Sequence, residues 1–127
     1  MLIPHLHFGG NCPEVIKLYE KAFNSKVDIG SIDYMSDGKR IAHAAMNIHG
    51  GEIFLNDGLE FFNDTFGRMD CSGHLVITFN TVDELLNCYE ILKTDDAPAP
   101  FHETPYSKLA GNFLDKFGVL WGFMTIT

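Results

Sequence analysis

The sequence predicts an α+β protein built from two βαβββ modules. Each half opens on a short alternating stretch that runs straight into a helix start. Three further extended stretches follow each helix. The two helices also keep a constant spacing: Asn11 and Thr81 are 70 residues apart, as are Glu14 and Glu84, Tyr19 and Tyr89, and Glu20 and Glu90. A fixed offset along a whole element points to duplication of one unit.

Ile3 to Phe8 alternates, with Pro4, Leu6 and Phe8 on one face and His5 and His7 on the other, as a strand between an apolar and a polar environment does. Gly9-Gly10 breaks it. Asn11-Cys12-Pro13-Glu14 then reads as a helix start, with Asn11 as N-cap, Pro13 in the first turn and Glu14 at capping-box spacing. Val15, Leu18, Tyr19 and Ala22 carry the helical period to about Asn24. Val27 to Tyr34, Arg40 to His49 and Glu52 to Asp57 are the next strands, separated by Asp37-Gly38, a hairpin turn, and Gly50-Gly51. The second copy repeats this order. His74 to Phe79 is the strand, Thr81 to Glu84 the capping box, and Leu85, Leu86, Tyr89 and Leu92 the helix. Extended segments follow over Ala99 to Glu103, Lys108 to Leu114 and Val119 to Ile126. With one extra glycine in the first copy, Phe8 aligns with Phe79, Leu6 with Ile77 and His5 with Val76. The modules are therefore 1–57 and 73–127, in a single domain, with residues 58–72 as a linker. That linker holds Phe61, Phe62 and Phe66, which predicts that it packs on something.

At 127 residues the chain is one domain's length, long enough to bury about two-thirds of its unfolded surface. Its net charge of −8 offers no electrostatic footprint for nucleic acid or an anionic membrane. Three cysteines, Cys12, Cys71 and Cys88, with no Cys-x-x-Cys pair, exclude a disulfide scaffold and a Cys-built zinc site. The N-terminal stretch lacks the basic and long apolar regions of a signal peptide, and no apolar run is long enough to span a bilayer. The expected address is the cytoplasm. There is no P-loop, Gly-x-Ser-x-Gly or Gly-x-Gly-x-x-Gly, so no nucleotide-like cofactor is expected. His5 and His7 share a strand face and are candidates for ligand contact. Cys12, in a first helical turn, has two readings: a thiol activated by the helix dipole or a small packed residue.

Four motifs then resemble one family. They are Pro4-His5-Leu6-His7-Phe8-Gly9-Gly10-Asn11, the helix Ile16 to Phe23, the stretch from His43-Ala44 through Gly50-Gly51 to Leu55-Asn56-Asp57, and Asp115-Lys116-Phe117-Gly118-Val119-Leu120-Trp121. The chain resembles the vicinal oxygen chelate superfamily of glyoxalases, bleomycin-resistance proteins and extradiol dioxygenases, and within it the PhnB-like branch. The resemblance implies a curved mixed sheet in each module, both lining a cleft, with the helices behind. It places His5, His7, Phe54, His74, Thr78, Tyr106 and Trp121 at that cleft. Metal-using members hold a divalent ion with four side chains. Here His74 matches one position, but the last-strand carboxylate falls at Gly122, and the phase of Glu52 is open. The expectation is a small-molecule-binding protein, with no catalytic metal or other cofactor and no assigned catalytic residue, acting as a homodimer. The alternatives are a metal-dependent lyase, isomerase or dioxygenase using His74 and His5 with a fourth-strand acid, and an antibiotic-sequestering resistance protein.

Overall fold

The computed structural model describes residues 1–67, 73–96 and 98–126. The chain divides into two compact units, Met1–Asp70 and Cys71–Thr127. Each carries one four-stranded mixed sheet with the same topology.

In the first unit β1 (His5–His7), β2 (Asp33–Tyr34), β3 (Ile41–Ile48) and β4 (Gly51–Asn56) lie in the order β1-β4-β3-β2. β1 runs parallel to β4, and the remaining pairs are antiparallel. Ala44, Met46, Ile48, Ile53 and Leu55 are buried on one face of the sheet. With Cys12, Val15, Ile16 and Tyr19, buried along α1 (Cys12–Ala22), they make the core of this unit. The other face carries His5, His7, His43, Glu52, Phe54 and Asn56, as the register His5↔Phe54, His7↔Asn56 and Asn47↔Glu52 requires.

Three expectations for this unit change. The strand over Val27–Tyr34 is broken: Val27 makes an isolated bridge to Met46, Ile29–Ser31 is a 3-10 turn, and only Asp33–Tyr34 pairs as β2. Asp28 caps that turn with its own side chain, so the local hydrogen bond wins over the ladder. Asn11 makes no side-chain cap bond. Asp57 takes the work instead. Its Oδ1 accepts from the N–H of Gly10 at 2.8 Å and of Cys12 at 2.9 Å, and its Oδ2 from the N–H of Ile41 at 2.8 Å. Finally, the packing expected of the linker's three phenylalanines is met by Phe62 alone. Leu59–Phe66 form a helix, α2. Phe62 is half-buried, while Phe61 and Phe66 are 61% and 71% exposed. The end of the linker, 68–72 with Cys71, lies outside the described residues, as do Ala97 and Thr127.

The second unit repeats the plan. β5 (Leu75–Phe79), β6 (His102–Thr104), β7 (Ser107–Leu114) and β8 (Leu120–Thr125) lie in the order β5-β8-β7-β6, with β5 parallel to β8. α3 (Val82–Leu92) starts as the sequence predicts, with Thr81 Oγ1 accepting from the N–H of Glu84 at 3.1 Å. Its Tyr89 meets Phe101 and Phe113 edge-on, at 5.0 and 4.9 Å between ring centroids. Ile77, Phe79, Trp121, Phe123 and Thr125 are buried on one face of the sheet. Val76, Thr78, Asn112, Gly122 and Met124 occupy the other, as the pairs Val76↔Gly122 and Asn112↔Gly122 show.

Candidate functional site

Each unit presents one sheet face that carries polar and aromatic side chains. In the first unit His5 and His7 lie two residues apart on β1 and therefore project together. Their ring centroids are 4.5 Å apart. His43, from β3, stands 6.3 Å from His5 and 4.6 Å from Phe54, whose ring is edge-on to both histidines. Phe62 of α2 stacks on His7 at 4.0 Å. Burial, then the nearby His7 and His43, push the pKa of His5 down, because a charge on one ring in this group opposes desolvation and its neighbours. His7 Nδ1 lies 2.8 Å from Asn56 Oδ1, which also accepts from the N–H of Gly58 at 2.9 Å.

In the second unit a hollow of ≈ 280 Å³ lies over the face that carries Gly122. His74, His102, Thr104, Tyr106 and Asn112 supply its polar lining, and Val76, Ala110 and Met124 its apolar part. Two side chains approach Gly122 closely here. A Cβ at this position would stand 2.8 Å from Cδ2 and Nε2 of His74 and 2.9 Å from Oδ1 of Asn112. The imidazole and the carboxamide thus converge on the space that a side chain at 122 would fill.

Of the sequence-predicted residues, His5, His7 and Phe54 come together in the first unit, and His74 and Tyr106 line the hollow in the second. Thr78 is exposed on the same sheet face but is not part of the hollow's lining. Trp121 is a correction. It is 1% exposed and belongs to the buried face with Phe123, and its indole Nε1–H donates to Asp115 Oδ2 at 2.9 Å. Asp115 Oδ1 accepts from the N–H of Phe117 and of Val119. The Asp-Lys-Phe-Gly-Val-Leu-Trp motif is therefore a structural clasp. His43, Asn56, Phe62, His102 and Asn112 had no assigned place at the site. The even spacing of His43, Ala45 and Asn47 was the signal available for His43; Phe62 and Asn112 reach the faces only through tertiary folding.

Cys12 resolves to the packed reading. Burial, with Asp57 beside it, pushes its thiol up to about 12, and burial does the same for Cys88. Neither is a nucleophile at neutral pH.

The metal-using chemistry of the resembling family does not fit these donors. Glu52 does share the face of Phe54, but its neighbour across the strands is Asn47, and Gly122 supplies no carboxylate. Among the described residues no group of three or more His, Cys, Asp or Glu is arranged to hold an ion.

No protein-family model and no curated protein sequence matches the chain. Solved structures do. The PhnB protein from Bacillus cereus is 25% identical, with a TM-score of 0.77 over 98% of each chain. A glyoxalase/bleomycin resistance protein/dioxygenase domain from Frankia is 17% identical, with a TM-score of 0.66 over 100% of this chain and 91% of that one. The fosfomycin resistance protein FosX from Listeria monocytogenes is 14% identical, with a TM-score of 0.65 over 100% and 93%. The last two are likenesses of fold. With the four motifs and the repeated sheet topology, the chain is similar in fold to these members of the vicinal oxygen chelate superfamily, and over nearly its whole length to the PhnB protein.

Proposed function

We propose that the chain is a small-molecule-binding protein of the PhnB-like glyoxalase class that works without a resident divalent ion. The observation that carries this reading is the hollow of ≈ 280 Å³ over Gly122. Among the described residues its lining holds hydrogen-bonding groups and apolar surface but no Asp, Glu, Lys or Arg, so the ligand is held by hydrogen bonds and apolar contact. His74 and Tyr106 contact it, and His5, His7, Phe54 and Thr78 belong to the same binding function. The reading treats the chain as one domain of two modules, at work in the cytoplasm. No helix among the described residues is long and apolar enough to cross a membrane.

The test pairs a fragment screen with metal analysis on protein purified without an affinity tag. His74→Ala and Tyr106→Ala are expected to weaken the best fragments about tenfold, near 1.4 kcal/mol, with metal content unchanged. A stoichiometric ion held by His74 would overturn the reading in favour of a metal-dependent lyase. We further propose a homodimer, supported by the exposed rings of Phe61 and Phe66 on α2. Sedimentation should give a dimer, and Phe61→Ser with Phe66→Ser a monomer.

A further inference from the structure

The side chain of His7 is constrained more closely than a surface histidine needs to be. The N–H of Gly58 can only donate, so the Asn56 atom that faces it at 2.9 Å is the carbonyl oxygen. His7 Nδ1 lies 2.8 Å from that same oxygen, so Nδ1 carries the proton. The hydrogen bond on one ring nitrogen sets the state of the other, which leaves Nε2 of the neutral ring as a bare acceptor. Nε2 has no partner among the described residues, and no unpartnered side-chain nitrogen or oxygen among them is buried, so Nε2 meets solvent. The ring plane is held by Phe62, stacked at 4.0 Å. Gly58 itself permits the arrangement, since a Cβ there would stand 3.0 Å from Asn56 Oδ1.

From this geometry we propose that His7 is a positioned hydrogen-bond acceptor that reads a ring-borne hydroxyl, a phenol or enol, with Asn56 as its positioning residue. The ring class follows from the walls: His5 and Phe62 stand against His7 at 4.5 and 4.0 Å, and Phe54 and His43 extend the aromatic surface beyond His5. A donor rather than an anion follows from the charges. None of the four strands carries Lys or Arg, the acidic members of the face are Glu52 and Asp33, and the chain's net charge is −8. The inference rests on the small-molecule reading and names the chemical class that the first unit selects.

Two measurements test it. Imidazole nitrogen NMR of the whole protein, without any ligand, should find His7 as the Nδ1–H tautomer, in contrast to the Nε2–H form of an unconstrained histidine. Asn56→Asp should keep that tautomer and Asn56→Leu should lose it. An Nε2–H tautomer in the wild type overturns the inference even if fragments still bind in the hollow, and so leaves the proposed function standing. The second measurement compares 4-methylphenol, which stays protonated at neutral pH, with its methyl ether, 4-methylanisole, which cannot donate. The phenol should bind at least tenfold tighter and move the Nε2 resonance of His7, and His7→Leu should abolish the difference. Equal binding of the two probes, or binding that moves only His74 and Tyr106, overturns the assigned ligand class. Both readouts on wild type and His7→Leu decide the matter even if Asn56→Leu does not fold.

Discussion

The two modules use the same topology to build opposite surfaces, and one pair of equivalent positions separates them. In the first, β4 places Phe54 against His5; in the second, β8 places Gly122 against Val76. Phe54 fills its sheet face and gathers His5 and His43 around it. Gly122 leaves its face bare, and His74 and Asn112 lean into the space. Duplication preserves the backbone hydrogen-bond pattern, which side chains do not dictate. The two faces then differ through single positions on the strand next to the first one.

Breaking the frame that both faces share should have the largest effect. Asp57 and Asp115 are buried carboxylates that each accept three N–H groups. Stranding three such donors, at about 1–3 kcal/mol each, should cost Asp57→Ala and Asp115→Ala at least about 3 kcal/mol in urea unfolding. Losses under about 1 kcal/mol would show that the clasps do not hold the units.

Reciprocal changes at the divergent pair come next. Phe54→Ala should cost about 2 kcal/mol, since a half-buried ring loses part of its transfer free energy, and should leave the His74 resonances where they are. Gly122→Ala meets only the ends of flexible side chains. It should shift stability by less than about 1 kcal/mol yet displace the His74 ring, visible as a changed imidazole spectrum. An unmoved His74 spectrum would break the comparison.

Acid should act on the first face more than on the second. The pKa of His5 is lowered in the folded chain, first by burial and then by His7 and His43, so the unfolded chain takes up that proton at higher pH. Its contribution to stability is complete above the unfolded value, about 6.5, and falls as the pH drops from there toward the folded pKa. The unfolding midpoint should therefore fall between pH 7 and pH 5, and His5→Gln should flatten that fall; an equal fall in both proteins would rule the assignment out. The smallest effect concerns the thiols. With Cys12 and Cys88 at about 12, at most one cysteine should react with a disulfide reagent at pH 8 in the native protein, and all three after unfolding.

The duplication was readable because it lies in local patterns. The 70-residue offset, the Thr81 cap and the alternation of β1 and β5 all depend on neighbours within a few residues. What escaped depends on distant ones. Asp57 caps α1 across 45 residues, a partnership that no local box encodes. Trp121 was assigned by resemblance, although the alternation Trp121, Phe123, Thr125 against Gly122 and Met124 already placed it on the core side. The pairing of Phe62 with His7 exists only once α2 is formed. Glu52 had an open phase until its pairing with Asn47 fixed it.

The most direct test of the central claim, that the Gly122 face of the second module is the ligand site, is a map of amide shifts from a fragment screen on wild type and Gly122→Ala. The account predicts that fragments lacking a ring hydroxyl move the amides of Thr104, Asn112 and Gly122, and that Gly122→Ala weakens them at least fivefold. Fragments that bind wild type and Gly122→Ala equally, leaving those three amides unmoved, would contradict it.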